Sequence, residues 1–343
     1  MCHFGASSHR IYPCRVELLQ NDTPHPLCIK KNKFDIIFNS RILAPVSTQN
    51  GTNAVPDLYC IEEIQKLLEV VFFTGWLKDE NPVSLLLIGP SGTGKSKLIC
   101  AKESPCFLRT DSISSNGLFD IAQRDHTNTL KFLLIPDLNG TLSRRPTTVE
   151  GTLANLLSFT SDGTVRVDDG REGKLCKHRP IGLITAATTE IYKKNAKRWY
   201  NLGLRRRILP VFYRYSPATL QKLQHLVSEN KIHSSIPNGA RFDEKMEKQE
   251  PVSIAIPDKF EIEIMMMSTT LATFMGKDAV FDRIHKRTLW EAKEVVPISP
   301  QITLKNLARA HAFHAGRRTV NQSDFDFLGS FLGFCDPENP RQI

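Results

Sequence analysis

The chain has 343 residues, 41% of them hydrophobic and 24% charged, with a formal net charge of +9. That composition excludes a disordered chain and leaves room for two or three domains with an ample core. The positive balance favours an anionic partner, nucleic acid before membrane. No apolar run reaches the ~18 residues that span a bilayer, and no signal-peptide core opens the chain, so a soluble, cytoplasmic protein with no membrane partner is expected. Eight cysteines are scattered without a C-x-x-C pair, which argues against a disulfide framework. Cys2, His3, His9 and Cys14 cluster at a spacing that fits no common zinc pattern.

In chain order, residues 1–55 mix short β-like runs with Pro13, Pro24, Pro26 and Pro45 and form an irregular, partly β N-terminal region. Asp57 can cap a helix running to about Phe73, because Leu58, Ile61, Ile64, Leu67, Leu68 and Val71 recur at helical spacing. Asn81-Pro82 then leads into the apolar run Ser84-Leu85-Leu86-Leu87-Ile88, the loop Gly89-Pro90-Ser91-Gly92-Thr93-Gly94-Lys95-Ser96 and the helical Lys97-Leu98-Ile99-Cys100. The pattern G-x-x-x-x-G-K-[ST] is filled at Gly89, Gly94, Lys95 and Ser96, in the strand, loop, helix context that gives it meaning. Glycines let backbone N–H groups converge on anionic oxygens, and the helix that follows adds its positive N-terminal end. Residues Gly89 to Lys97 are the expected phosphate cradle, with Lys95 on the β- and γ-phosphates and the Ser96 hydroxyl on Mg²⁺.

Strand and helix signals then alternate. Strands are expected at 105–109, 131–136, 180–187 and 209–215, and helices at 116–123 and 148–159. Such alternation predicts an α/β domain over 56–215, a mostly parallel sheet with helices on both faces. After Ser216 come a helix at 217–228, a polar linker around 233–257 and helical periodicity at 259–275, 302–315 and 323–334, which predict a helical domain over 216–343.

A phosphate-loop ATPase needs an acid at the tip of a neighbouring strand, and Phe132-Leu133-Leu134-Ile135-Pro136-Asp137 supplies Asp137. Two registers are open. Either Asp137 organises Mg²⁺ and the water-activating acid is missing, since Leu138 and Asn139 follow, or Pro136 stands at the metal position and Asp137 is the catalytic acid. Both leave one acid short, so hydrolysis is slow or draws on an acid from elsewhere, such as Asp111 or Glu150. Past the next strand, Thr188, with Thr189 second, suits orienting a water near the γ-phosphate; a threonine there equally caps the helix opening at Glu190.

The helix and hairpin-like stretch Leu153 to Val167, the strand Arg179 to Thr188 and the run Gly203-Leu204-Arg205-Arg206-Arg207-Ile208-Leu209-Pro210-Val211, taken with the phosphate loop, resemble an AAA+ ATPase of the MoxR and MCM-like branch over roughly residues 57–215. The resemblance implies a P-loop fold with a C-terminal helical lid, ATP and Mg²⁺ as ligands, and a homo-oligomeric ring. It also implies an arginine finger acting in trans, Arg207 first and Arg206 second. The alternative is that Arg205, Arg206 and Arg207 are a solvated or DNA-facing cluster. Ile302 to Ala315 resembles the lid helix of that branch, and Arg317 to Phe325 the turn before the last lid helix. The branch's second sensor arginine is absent from Pro297–Gln301, with Lys305 or Arg309 as substitutes at hand.

From Lys193 to Arg207 stand seven basic residues, no acidic one, and the aromatics Trp199 and Tyr200, a mixture suited to phosphate contact with base stacking. Arg166, Arg171, Lys174, Lys177, His178 and Arg179 add a second basic patch over Arg166–Arg179. The expected function is an ATP-driven, ring-forming ATPase that acts on DNA or remodels a protein partner. The alternative is a nucleotide-gated scaffold with little or no hydrolysis.

Overall fold

The computed structural model describes residues 61–168, 173–229, 240–241, 244–282 and 287–343, all within one compact unit, Ala54–Ile343. The N-terminal region 1–55, Asp57, Arg171 and part of the 233–257 linker lie outside the described residues, and with that region the Cys2, His3, His9 and Cys14 group. The helix expected to run to Phe73 is present as α1, Glu62–Phe73.

The apolar run before the phosphate loop is strand β1, Ser84–Gly89, buried at every position. After it come the short helix α2, Lys95–Ile99, and strands β2, Lys102–Glu103, and β3, Phe107–Arg109. Helix α3, Ser115–Arg124, leads to β4, Phe132–Ile135, followed by α4, Asn139–Leu142, and α5, Pro146–Ser161. A hairpin of β5, Thr164–Asp168, and β6, Gly173–Lys177, precedes β7, Gly182–Thr188. Helices α6, Thr189–Asn201, and α7, Leu204–Arg207, precede β8, Ile208–Arg214.

These strands form a six-stranded sheet in the order β12, β8, β1, β7, β4, β3, where β12 is Arg341–Gln342, and every neighbouring pair is parallel. The fold is α/β. Alternation along the strands sends side chains to two cores. Leu85, Leu87, Ile184, Ala186, Leu209 and Val211 pack on one side with α1 and the C-terminal helices. Leu86, Ile88, Leu183, Ala187, Ile208 and Phe212 pack on the other with α3, α5 and α6. Each of the Leu, Ile, Val and Phe side chains contributes ~1.5–3 kcal/mol by leaving water, which makes this sheet the rigid element on which the loops stand.

The segment after Ser216 is not helical throughout. Helix α8, Pro217–Ser228, is followed by β9, Ala240–Arg241, and α9, Glu244–Glu247. Then α10, Glu261–Gly276, and α11, Ile298–His314, are separated by an antiparallel hairpin of β10, Lys277–Asp282, and β11, Arg287–Ala292, where helical packing alone was expected. The period-2 signal of Lys277-Asp278-Ala279-Val280-Phe281-Asp282 is short and charged, so it acquires strand character only from its partner. After α12, Gln322–Leu332, the chain returns to the sheet edge as β12, and Phe212 donates its N–H to the carbonyl of Phe334 at 2.6 Å.

Candidate functional site

The β1–α2 loop rises from the carboxyl end of the sheet, where the strand order turns back on itself and α/β folds place their ligands. Gly92 and Gly94 have φ of 82° and 77°, left-handed values that cost a side chain ~1 kcal/mol or more. Gly89 is required by contact instead: a Cβ there would stand 2.7 Å from the carbonyl oxygen of Tyr213 on β8. Tyr213 also braces the loop from beneath, donating its hydroxyl to the Thr93 carbonyl at 3.1 Å, and burial pushes its phenol well up. The Lys95 side chain folds into the loop, its ammonium donating to the carbonyls of Gly89 at 2.9 Å and Pro90 at 2.6 Å and to the Thr93 hydroxyl at 3.2 Å. Burial lowers the Lys95 pKa, and the charges of Asp137 and Glu190 partly restore it. Helix α2 has only five residues, too short for its dipole to add much at the loop.

Pro136, Asp137, Ala186, Ala187 and Thr188 complete a cleft of about 320 Å³ with Ser91 to Lys97. The Ser96 hydroxyl donates to the Pro136 carbonyl at 3.1 Å, so α2 and the tip of β4 meet across the end of β7. Asp137 accepts from the Asn139 N–H at 2.9 Å, while Leu138 turns into the core, 1% exposed, and donates its N–H to the Ala186 carbonyl at 2.9 Å. Neither of the two residues that follow Asp137 is an acid. Thr188 pairs in register with Gly89, and its hydroxyl accepts from the Ile191 N–H at 3.3 Å as the cap of α6. Thr188 also lines the cleft, so its cap bond does not take it out of the site. Glu150 stands away from the cleft in an ion pair with Arg198 at 3.4 Å, and Asp111 is not part of the cleft lining.

The three adjacent arginines do three different things. Arg205 is 3% exposed: it pairs with Asp278 at 3.6 Å, donates to the Lys277 carbonyl and lies over the Tyr192 ring. It docks α7 on β10, so it is neither a finger nor part of a DNA-facing surface. Arg206 and Arg207 are exposed. Ile208, the next residue, pairs with Ser84 at the start of β1, whereas the phosphate loop leaves the other end of that strand after Gly89. A six-residue strand spans ~17–20 Å, so Arg207 cannot reach the cleft of its own chain.

The basic stretch loses its aromatics. Trp199 is fully buried against Tyr192, and Tyr200 donates its hydroxyl to the Glu294 carbonyl at 3.0 Å with Lys293 over its ring. Neither ring is placed to stack on a base, and Arg198 is engaged with Glu150 and the Pro146 carbonyl. Lys193, Lys194 and Lys197 remain exposed on α6. In the second patch, Arg166, Lys174 and Lys177 are exposed on the β5–β6 hairpin, whereas His178 is buried and bonded to Asp125 at 2.9 Å.

Lys305 is paired with Glu261 at 2.8 Å and Arg309 with Glu80, so both are structural on α11. His311 contacts Asp324 at 2.6 Å, and Arg317 holds both oxygens of that carboxylate at 2.8 and 2.6 Å. Burial would raise the Asp324 pKa, but these bonds and the Asn321 N–H bring it down to about 2. Among the described residues no helix is long and apolar enough to cross a membrane, and no three His, Cys, Asp or Glu side chains group as metal ligands. Reading the sequence passed over Tyr213, which braces the loop and carries no signal of its own. Fold and site together define an α/β protein with a P-loop-like strand, loop and helix on a parallel sheet. The chain matches no family model, and no curated protein matches it.

Proposed function

We propose that this chain is an ATP-binding ATPase of AAA+ type, in which residues 216–343 act as the lid and like subunits share each nucleotide site. One observation carries the reading: the left-handed glycines of the loop, Lys95, Ser96, Asp137 and Thr188 converge on one cleft at the carboxyl ends of β1, β4 and β7. The loop amides would hold the phosphates, and Lys95 would exchange its three loop acceptors for phosphate oxygens. Ser96 and Asp137 fit Mg²⁺, a cation that takes one or two protein oxygens and completes its shell with phosphate and water. Bound there, it would neutralise charge between the phosphates. Thr188 would donate its hydroxyl to a water facing the γ-phosphate.

Arg207, on the far side of the sheet from its own cleft, suits a finger for the cleft of a neighbouring subunit, with Arg206 beside it. The exposed lysines of α6 and the cations of the β5–β6 hairpin suit a nucleic-acid backbone, which makes DNA the first client to test and a protein the second. The buried Leu138 favours a second reading, a nucleotide-gated scaffold that binds ATP and turns it over poorly. Phosphate release, measured with and without DNA at two salt concentrations and beside Lys95→Ala and Arg207→Ala, separates the two. An ATPase shows turnover that Lys95→Ala abolishes and that Arg207→Ala lowers with binding intact. Binding without turnover leaves the scaffold, and absence of binding refutes both.

A further inference from the structure

We propose that Asp278 is a positioning residue for the neighbour's nucleotide site: through Arg205 it fixes the turn that presents Arg206 and Arg207. The proposal rests on the ring-forming ATPase reading above, in which Arg207 serves the cleft of a neighbouring subunit. Helix α7 has four residues, opens after the left-handed Gly203, φ 74°, and has no side-chain cap. Its own closure is slight, a bond of 3.3 Å from the Arg206 N–H to the Gly203 carbonyl and one from the Ile208 N–H to the Leu204 carbonyl. Successive helical residues turn by about 100°, so with Leu204 and Arg205 buried, Arg206 and Arg207 face outward. A Cβ on Gly203 would stand 3.0 Å from Arg206 Nη2 and 3.6 Å from Arg207 Nη1, which places both guanidiniums over the same side of the turn. Neither makes a hydrogen bond or ion pair with any described residue.

What anchors the turn is the β10–β11 hairpin. Asp278 Oδ1 faces Arg205 Nη1 at 3.6 Å, and neither atom has a hydrogen-bond partner, so each depends on the other. The second Asp278 oxygen accepts from the Lys293 ammonium at 2.5 Å, and Arg205 Nη2 donates to the Lys277 carbonyl. The hairpin is itself held in place. Lys293 donates its N–H to the Gly276 carbonyl at 2.9 Å across the hairpin base. The Lys277 ammonium meets Asp336 at 2.7 Å and Glu338 at 2.5 Å, just before β12 joins β8.

Asp278 therefore ties α7 to a fixed hairpin through one buried charge. Without that charge Arg205 keeps only the Lys277 carbonyl and the Tyr192 ring, and the single turn is free to rotate. The guanidiniums that leave it then move with it. A guanidinium stabilises phosphoryl-transfer charge only from the right place, and a misplacement of ~1 Å costs on the order of 10²-fold in rate.

The test is a double-mutant cycle in the full chain, Asp278→Asn against Arg207→Ala, read as phosphate release at saturating Mg²⁺ and ATP well below the lowest thermal midpoint, beside affinity for a fluorescent ATP analogue. Asp278→Asn is expected to lower turnover on the order of 10²-fold with affinity kept, and the double variant to be no slower than Arg207→Ala alone. Mixing Asp278→Asn with Lys95→Ala is expected to restore turnover, because the Lys95→Ala subunit lends its own Arg207 to its neighbour. Arg205→Lys, which keeps the charge and loses the fork, is expected to give the same cycle and the same recovery, and serves where Asp278→Asn does not fold. Full turnover in Asp278→Asn, losses that multiply in the cycle, or a mixture no faster than its components overturn the positioning role and leave the ATPase reading standing. Turnover of Arg207→Ala equal to that of the unaltered chain removes the finger and the proposal with it. An unaltered chain that releases no phosphate above Lys95→Ala overturns hydrolysis and the proposal together.

Discussion

Replacing Arg205 by alanine tests whether the three arginines before β8 are divided between packing and surface. Arg205 and Asp278 are each 3% exposed, and the guanidinium also serves the Lys277 carbonyl, so truncation leaves a buried carboxylate and a carbonyl short of a donor. Breaking a buried pair from one side costs ~3–5 kcal/mol. Lys293 still faces Asp278 from the other side, which puts the loss near the lower end, about 3 kcal/mol. At ~2.1 cal/mol/K per residue, the Ala54–Ile343 unit has an unfolding entropy of ~0.6 kcal/mol/K, so the midpoint falls by about 5 °C. Arg207→Ala, at an exposed site, changes stability by less than ~0.5 kcal/mol. Arg205→Lys keeps the charge but loses the fork that reaches both acceptors, and falls between. Thermal unfolding followed by circular dichroism, without nucleotide, reads all three variants. An Arg205→Ala midpoint unchanged, or lowered no more than that of Arg207→Ala, would refute the docking of α7 on β10 and reopen Arg205 as a surface residue.

Four further outcomes are expected from other parts of the structure. Gly89→Ala sets a Cβ 2.7 Å from the backbone of β8, and overpacking of that kind costs ~1–3 kcal/mol, measurable by urea unfolding, together with weaker binding of a fluorescent ATP analogue. Asp324 and Asp125 both titrate near 2, burial being outweighed by their hydrogen bonds, against ~3.9 in an unfolded chain; each therefore adds about 2 kcal/mol above pH ~4 that is lost as pH falls through 2. Asp324→Asn, followed by denaturant titration across that range, should be less stable near neutrality and show a flatter acid dependence. Trp199→Ala should destabilise the chain by ~3–5 kcal/mol as a core deletion. By contrast, Lys193→Ala, Lys194→Ala and Lys197→Ala combined should leave stability intact and reduce any DNA binding and its salt slope, with no fluorescence change attributable to stacking on tryptophan.

What could be read in the chain itself was local. The phosphate loop is spelled by consecutive residues whose conformation is set by glycine, and β1, β4, β7 and β8 are apolar runs that bury wherever they are placed, so both were legible. Thr188 was legible for the same reason, since a cap acts within three residues. What depended on distant partners was not. Three consecutive arginines are chemically identical in sequence, and only the hairpin 72 residues downstream makes Arg205 a core residue while leaving Arg206 and Arg207 outside. Trp199 has the composition of a stacking platform, but the helix face it occupies turns inward against Tyr192. Sequence alone therefore determined that a glycine-rich strand, loop and helix element rides on a parallel sheet. Tertiary structure decided which charges are buried and which face solvent, because those follow from packing between segments far apart in the chain.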